Sequence, residues 1–235
     1  MKLYTAANLT KGATVLDVGH GTGESLLLLI SSPHSTIPQP AHLVGITSLE
    51  VHHQRSVERV HKYQAAHPSE TDTIVDLYHA DAICSPHDTP HPLHPTSETT
   101  FNSILALDCA YHFKTRRLFL EQAFGKLAPG GTIALADICF SATALRSRRT
   151  RILTQSVLKL MPVENLISAE DYVAQLKDIG YEDVRLEDIT ANVFPGFVRF
   201  LKSRGWGWWV FGWVIDWYTG AGARFVIVSG RKRGR

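Results

Sequence analysis

Val15-Leu-Asp-Val-Gly-His-Gly-Thr-Gly23 is the stretch on which the fold turns. The apolar run Thr14 to Val18 reads as a buried strand. Three glycines follow at alternate positions, and then Glu24 to Ile30, a leucine run of helical composition. Glycine permits a tight turn with positive φ, and its missing side chain lets a ligand touch the backbone. The start of the next helix offers unpaired N–H groups to an anion. A nucleotide-like ligand at the carboxyl end of the first strand is the natural guest. A turn of this kind also serves as a plain strand-to-helix connection, so its meaning depends on what surrounds it.

Outward from that turn, the chain alternates between two periods. His42 to Ile46 reads as a second strand, Leu49 to Ala66 as a polar helix, Thr73 to His79 as a third strand and Phe101 to Leu107 as a fourth. Lys114 to Leu127 carries Leu118, Phe119, Ala123, Phe124 and Leu127 at helical spacing. Ala128-Pro-Gly-Gly131 should stop that helix before a fifth strand, Thr132 to Ile138. Strands alternating with helices imply a parallel sheet covered on both faces. In the last third, Ser141 to Met161 reads as helical. Ser168 caps a helix ending at Gly180, and Tyr181 to Ile189 and Ala223 to Val228 read as strands. Ser85 to Thr100, rich in Pro, His, Ser and Thr, reads as a surface loop.

These residues resemble the motifs of class I S-adenosylmethionine-dependent methyltransferases, of the type acting on small molecules and lipids. Asp17 before Gly19-His-Gly-Thr-Gly23 is similar to their first motif, an acidic residue and then G-x-G-x-G. Gly45-Ile-Thr47, with Ser48, resembles a subgroup that carries threonine where many members carry an acidic residue facing the ribose. Asp81-Ala82 resembles the adenine contact. Leu107-Asp-Cys-Ala-Tyr-His112 resembles the motif that closes the cofactor site and opens the acceptor site, and Leu127-Ala-Pro-Gly-Gly131 the turn before strand five. The resemblance implies an α/β fold: a Rossmann-like, doubly wound, seven-stranded, mostly parallel sheet with an antiparallel last strand. It implies one domain over residues 1–235, with a cofactor core at 12–140 and substrate-side insertions and a lid at 141–222. The implied cofactor is S-adenosylmethionine, held by Asp17, Gly19, His20, Gly21, Gly23, Thr47, Ser48, Asp81, Ala82 and Leu107. Similar enzymes usually carry helices before strand one that cover the cofactor. About a dozen residues precede Thr14 here, so the cover is missing, comes from a partner chain, or is taken over by the C-terminal insert.

Methyl transfer is an in-line displacement that depends on alignment. A hydroxyl or protonated amine acceptor must also lose a proton. His112, beyond strand four, is the candidate base, because an imidazole can accept a proton at neutral pH; contact with substrate or loop is its alternative role. Tyr111 is placed to orient the acceptor, and Asp108 to support. Trp206, Trp209 and Trp213 fall at helical spacing in Trp206 to Tyr218, which holds all five tryptophans and is apolar all round. Such a helix is buried or lies in a nonaqueous surface. The first reading is a wall or lid over the acceptor; a membrane interface and core or dimer packing are the others.

His87, His91 and His94 read as a solvated loop, and no metal site is expected. Cys84, Cys109 and Cys139 lack ligand spacing, so Cys109 and Cys139 read as small buried groups. Arg146, Arg148, Arg149 and Arg151 read as a solvated face, with an anionic ligand as the sharper alternative. The 24 basic and 22 acidic side chains give +2, which argues against a nucleic-acid partner despite the basic tail Arg231 to Arg235. Met1 to Thr10 lacks an apolar leader core, and no eighteen-residue apolar stretch exists, so a cytoplasmic chain, peripheral at a membrane at most, is expected. The expected function is O- or N-methylation of a small, mainly apolar acceptor. Its alternatives are C-methylation of a lipid or isoprenoid, or an inactive cofactor-binding module that supports a partner chain.

Overall fold

The computed structural model describes residues 1–31, 36–68, 72–147 and 161–234. Its elements are α1 (Lys2–Ala6), β1 (Thr14–Val18), α2 (Glu24–Ile30), β2 (His42–Thr47), α3 (Glu50–Ala66), β3 (Ile74–His79) and β4 (Phe101–Leu107). Then come α4 (Arg116–Lys126), β5 (Leu127–Phe140), α5 (Ala142–Arg146), α6 (Ala169–Ile179), β6 (Glu182–Asp188), α7 (Thr190–Lys202), α8 (Trp206–Gly220) and β7 (Ala223–Arg231). Short 3-10 turns lie at Ala110–His112 and Val163–Asn165.

The seven strands form one sheet in the order β3-β2-β1-β4-β5-β7-β6. The pairs from β3 through β5 are parallel, and β7 runs antiparallel to both β5 and β6. Apolar side chains leave both faces, as a sheet covered on two sides requires. On one face Leu16, Ile104 and Leu135 pack with Phe119 and Leu120 of α4 and Tyr172 and Leu176 of α6. On the other, Val15, Leu105 and Ala134 pack with Leu3 of α1, Leu26 and Leu29 of α2, Val60 of α3 and Phe194 of α7. The strand order reverses between β1 and β4, the crevice where open α/β sheets take their ligands.

Three segments depart from the sequence reading. Ala128 to Gly131 does end α4, but the chain passes straight into β5: Leu127 pairs with Phe101, and Gly131 and Gly130 exchange hydrogen bonds with Lys232. In the stretch read as helical from Ser141 to Met161, Ala142–Arg146 is helix, and 148–160, with Arg148, Arg149 and Arg151, lies outside the described residues. Helix α7 goes unread in the sequence because Pro195 and Gly196 stand inside it. Burial of Phe194, Val198 and Leu201 on one face overrides those two breakers.

Candidate active site

The glycine turn behaves as its sequence demands. Gly19, Gly21 and Gly23 have φ of 77°, 55° and 90°. A Cβ on Gly19 would lie 2.6 Å from Cys109 Sγ, so glycine lets the loops after β1 and β4 close on each other. Gly21 has no other atom within 4 Å of where a Cβ would stand, so its backbone faces open space. Gly21→Val should keep the fold yet fill that space and hinder the φ of 55°. Calorimetry should show S-adenosylhomocysteine binding weakened by an order of magnitude or more; binding equal to the parent's would sink the assignment.

Beneath the turn, Asp17 is buried and one carboxylate oxygen, Oδ2, has no hydrogen-bond partner. Burial raises its pKa from 3.8 to about 6, with a hydrogen bond from Ser25 opposing. A carboxyl raised in this way stabilises the fold below pH 3.8 and loses that contribution as pH rises through about 6. Ionised Asp17 therefore costs stability at neutral pH, on the order of 3 kcal/mol. Asp17→Asn should raise urea-unfolding stability at pH 7.5 by about 1–3 kcal/mol and gain much less at pH 5, while weakening cofactor binding. Equal gains at both pH values would rule out the buried charge as the cause.

His20 also turns inward. Its ring packs over Gly45, where a Cβ would meet Cδ2 at 2.8 Å, and burial lowers its pKa to about 4, so it is neutral. Thr47 is buried at the end of β2, and Ser48 follows it exposed, its carbonyl accepting from His79 Nε2 at 3.1 Å. Asp81 is exposed past β3; its Oδ1 caps the Ile83 N–H at 2.9 Å and its carbonyl bonds His91 Nε2 at 2.9 Å. His91 is therefore a buried brace of the Asp81 loop, a correction to its reading as solvated. His87 is exposed, and among the described residues no three His, Cys, Asp or Glu side chains converge as a metal site. Cys139 is buried and Cys109 half-buried, its thiol 3.3 Å from the Val18 carbonyl.

Leu107 ends β4 half-exposed, and Asp108 follows at φ 55°. The Tyr111 hydroxyl hydrogen-bonds the Asp108 carboxylate, and loss of hydration raises the pKa of both groups. Asp108 and Tyr111 form one wall of a cavity of about 300 Å³. Its remaining walls are apolar apart from the phenol of Tyr218: Ile138 of β5, Phe225 of β7, Phe194 and Phe197 of α7, and Phe211, Ile215 and Tyr218 of α8. His112 is exposed beside this cavity, its ring 4.1 Å from that of Tyr111.

The tryptophans stand on the far side of α8. Trp206, Trp209 and Trp213 are 84%, 49% and 57% exposed, whereas Phe211, Ile215 and Tyr218 face the cavity. The face of this helix that lines a cavity is therefore the one opposite the tryptophans. Gly212 decides this: it lies against Leu201 Cβ and the Val198 carbonyl, so α8 approaches α7 on that side.

The sequence reading missed the frame that holds Tyr111 and His112. Asn165, buried and distant in sequence, donates from Nδ2 to the Tyr111 and Phe113 carbonyls at 3.0 and 2.7 Å. Its Oδ1 accepts from the Arg116 N–H at 2.9 Å. Arg116 is itself buried and pairs with Asp137 at 2.8 Å.

In spatial order, Asp81, Thr47, the glycine turn and Leu107 run along one edge of the sheet, and the cavity continues beyond it toward β5 and β7. The open backbone at Gly21, the unpartnered Asp17 oxygen and the hydroxyl at Thr47 suit an extended ligand with a polar amino-acid end and a ribose, as S-adenosylmethionine has. Fold and site together define a Rossmann-like domain with an adjoining apolar cavity. A methyltransferase-domain family model matches residues 2–186, and the chain belongs to that family. It is 27% identical over 210 residues to erythromycin 3''-O-methyltransferase of Saccharopolyspora erythraea, covering 85% of this chain and 60% of the relative. It is 26% identical over 193 residues to 27-O-demethylrifamycin SV methyltransferase of Amycolatopsis mediterranei, covering 81% of this chain and 62% of that one. The chain thus spans a little under two thirds of those relatives. Among solved structures it is similar in fold to geranyl diphosphate C-methyltransferase of Streptomyces coelicolor, with a TM-score of 0.73 at 13% identity over 98% of this chain and 77% of that one. It is likewise similar to the [4+2]-cyclase SpnF, with a TM-score of 0.68 at 19% identity over 100% and 80%.

Proposed function

We propose that the chain transfers a methyl group from S-adenosylmethionine to an oxygen of a small, mainly apolar acceptor. The observation that carries this is the apolar cavity whose polar wall, Asp108 and Tyr111, adjoins the glycine turn through Cys109 and Gly19. At about 300 Å³ it stands at the lower end of small-molecule sites. S-adenosylmethionine, when bound, supplies an electrophilic methyl group. Gly19, Gly21 and Gly23 hold its methionine part, with Asp17 and His20 bracing the turn from below. Thr47 and Ser48 meet the ribose, and Asp81, Ala82 and Leu107 the adenine. Residues 141–222 supply the acceptor side. There Phe211, Ile215 and Tyr218 exclude water in the role first given to the tryptophans. Tyr111, tied to Asp108, orients the acceptor hydroxyl, and His112 takes its proton toward solvent. The name of the first relative, an O-methyltransferase, and that of the second, which acts on a 27-O-demethyl compound, support oxygen as the acceptor atom.

The test is S-adenosylhomocysteine release with a panel of apolar alcohols and phenols, followed by product analysis. Methyl ethers are the expected products. Carbon-methylated products would overturn the oxygen reading. Tight S-adenosylhomocysteine binding without release for any acceptor would favour the inactive module.

A further inference from the structure

We infer that the outer face of α8 docks on an anionic lipid bilayer. Trp206, Trp209, Trp213 and Trp217, with Val210, form one ridge at spacings of three and four along a single helix. All five are between 39% and 84% exposed. On the neighbouring helix α7, Phe197 and Phe200 are also exposed, at 42% and 50%. Lone exposed apolar residues need no explanation, but a contiguous aromatic ridge does.

Three observations select a bilayer as its occupant. The first is chemical. Trp217, Trp213, Trp209, Trp208 and Trp206 donate no hydrogen bond from their indole N–H groups among the described residues. An indole with an apolar body and a free donor suits the boundary between acyl chains and headgroups. The second is charge. The bend between α7 and α8 carries Arg199, Lys202 and Arg204, and across both helices the one acidic side chain, Asp216, lies 3.6 Å from Lys202. Arg204 stacks on the exposed Phe200 ring at 4.6 Å, so one of these cations already lies against an exposed aromatic ring. Cations beside an interfacial aromatic ridge match anionic headgroups. The third is size. The outer ridge of a fifteen-residue helix is roughly 22 Å long and presents a few hundred Å², well short of the roughly 800 Å² per partner of a stable protein interface. No helix of the described residues is long and apolar enough to cross a membrane, so α8 would lie in the interface plane.

Docking there has a consequence for the acceptor, which rests on the proposed function. The inner face of the same helix lines the cavity through Phe211, Ile215 and Tyr218, and half-exposed Phe197 belongs to the same cavity wall. An apolar acceptor dissolved in the bilayer would then lie one helix diameter, roughly 10 Å, from the cavity.

Vesicle binding tests the docking apart from any methyl transfer. The full chain is mixed with phosphatidylcholine vesicles, with and without phosphatidylglycerol, at low and high salt. We expect it to sediment with the anionic vesicles, tryptophan emission to shift to the blue, and lipids brominated near the headgroup to quench it. Trp209→Ser with Trp213→Ser should weaken partitioning tenfold or more, with the circular dichroism spectrum and Tm of the parent retained, because both residues are exposed. Arg199→Gln with Arg204→Gln should weaken binding to the anionic vesicles by about 25-fold, at roughly fivefold per cation, and remove most of its salt dependence. The inference is overturned if no vesicle is bound, or if the tryptophan variant binds like the parent. It is also overturned if sedimentation without lipid shows a dimer that the same tryptophan substitutions dissociate, since a second copy would then be the occupant. Absence of methyl transfer alone would leave the vesicle results standing and count against the proposed function only.

Discussion

With His112 replaced by alanine, turnover should fall by about 10²–10⁴, the span for removing a general acid–base group, while S-adenosylhomocysteine binding stays as in the parent. The expectation follows from where the ring sits. His112 closes the 3-10 turn after β4, with Tyr111 against it at 4.1 Å, and is exposed where Tyr111 is turned toward the cavity. A proton taken from an acceptor hydroxyl near Tyr111 would thus have a route outward. Apart from Leu107, the cofactor's candidate contacts lie on the other side of the switch point, so binding and chemistry separate. Asp108 is the competing acceptor of that proton, since its carboxyl is raised by loss of hydration and already holds the Tyr111 hydroxyl. Stopped-flow or end-point release of S-adenosylhomocysteine for His112→Ala and Asp108→Asn distinguishes the two. If His112→Ala turns over like the parent and Asp108→Asn does not, the base is Asp108. If both retain full turnover, no side chain here takes the proton.

The glycine turn was legible in the sequence because its constraint is local. A strand ending in three alternate glycines needs positive φ and an open backbone, and Gly19, Gly21 and Gly23 have the first, Gly21 also the second. The strand order could follow from the family resemblance for the same reason: each motif sits at the end of its own strand. What stayed hidden depends on partners far away in the chain. A helix that is apolar all round does not state which side faces in. Packing of Gly212 against α7 turns Phe211 and Ile215 inward and the tryptophans outward, and α7 itself is masked by Pro195 and Gly196. His91 looked like one more loop histidine until its two nitrogens met the Asp81 carbonyl and the Leu93 N–H. Helix α1 packs on the Asp17 side of the sheet, where Leu3 is buried and Tyr4 feels the Asp17 charge.

The frame around Asn165 was equally unreadable, and it should be where the fold is most easily broken. Asp137→Asn is expected to lower the stability to urea by about 3–5 kcal/mol, the cost of leaving one member of a buried ion pair without its counter-charge. The side chains of Arg116 and Asp137 are 1% and 0% exposed. Asp137 Oδ2 lies 2.8 Å from Arg116 Nε and accepts from the Tyr172 hydroxyl, also at 2.8 Å. The guanidinium meanwhile donates to the Ile138 and Asn165 carbonyls at 2.9 and 3.2 Å and lies 4.5 Å over the Tyr172 ring. The placement of Arg116 thus depends on one carboxylate to balance its charge. Replacing both members with apolar residues, Arg116→Met with Asp137→Leu, should recover much of the loss, since a packed apolar pair avoids the desolvation penalty of two ions. Function should not recover with it. Without Arg116 and its contact to the Asn165 carbonyl, the clamp on the Tyr111 and Phe113 carbonyls loosens, and a small displacement of Tyr111 and His112 is costly to an in-line displacement. Urea unfolding of the two variants, beside turnover of the folded double variant, separates the stabilising role from the positioning one. A loss below about 1 kcal/mol for Asp137→Asn would mean the pair is screened as a surface ion pair is, and the frame would then have to be held by Asn165 alone.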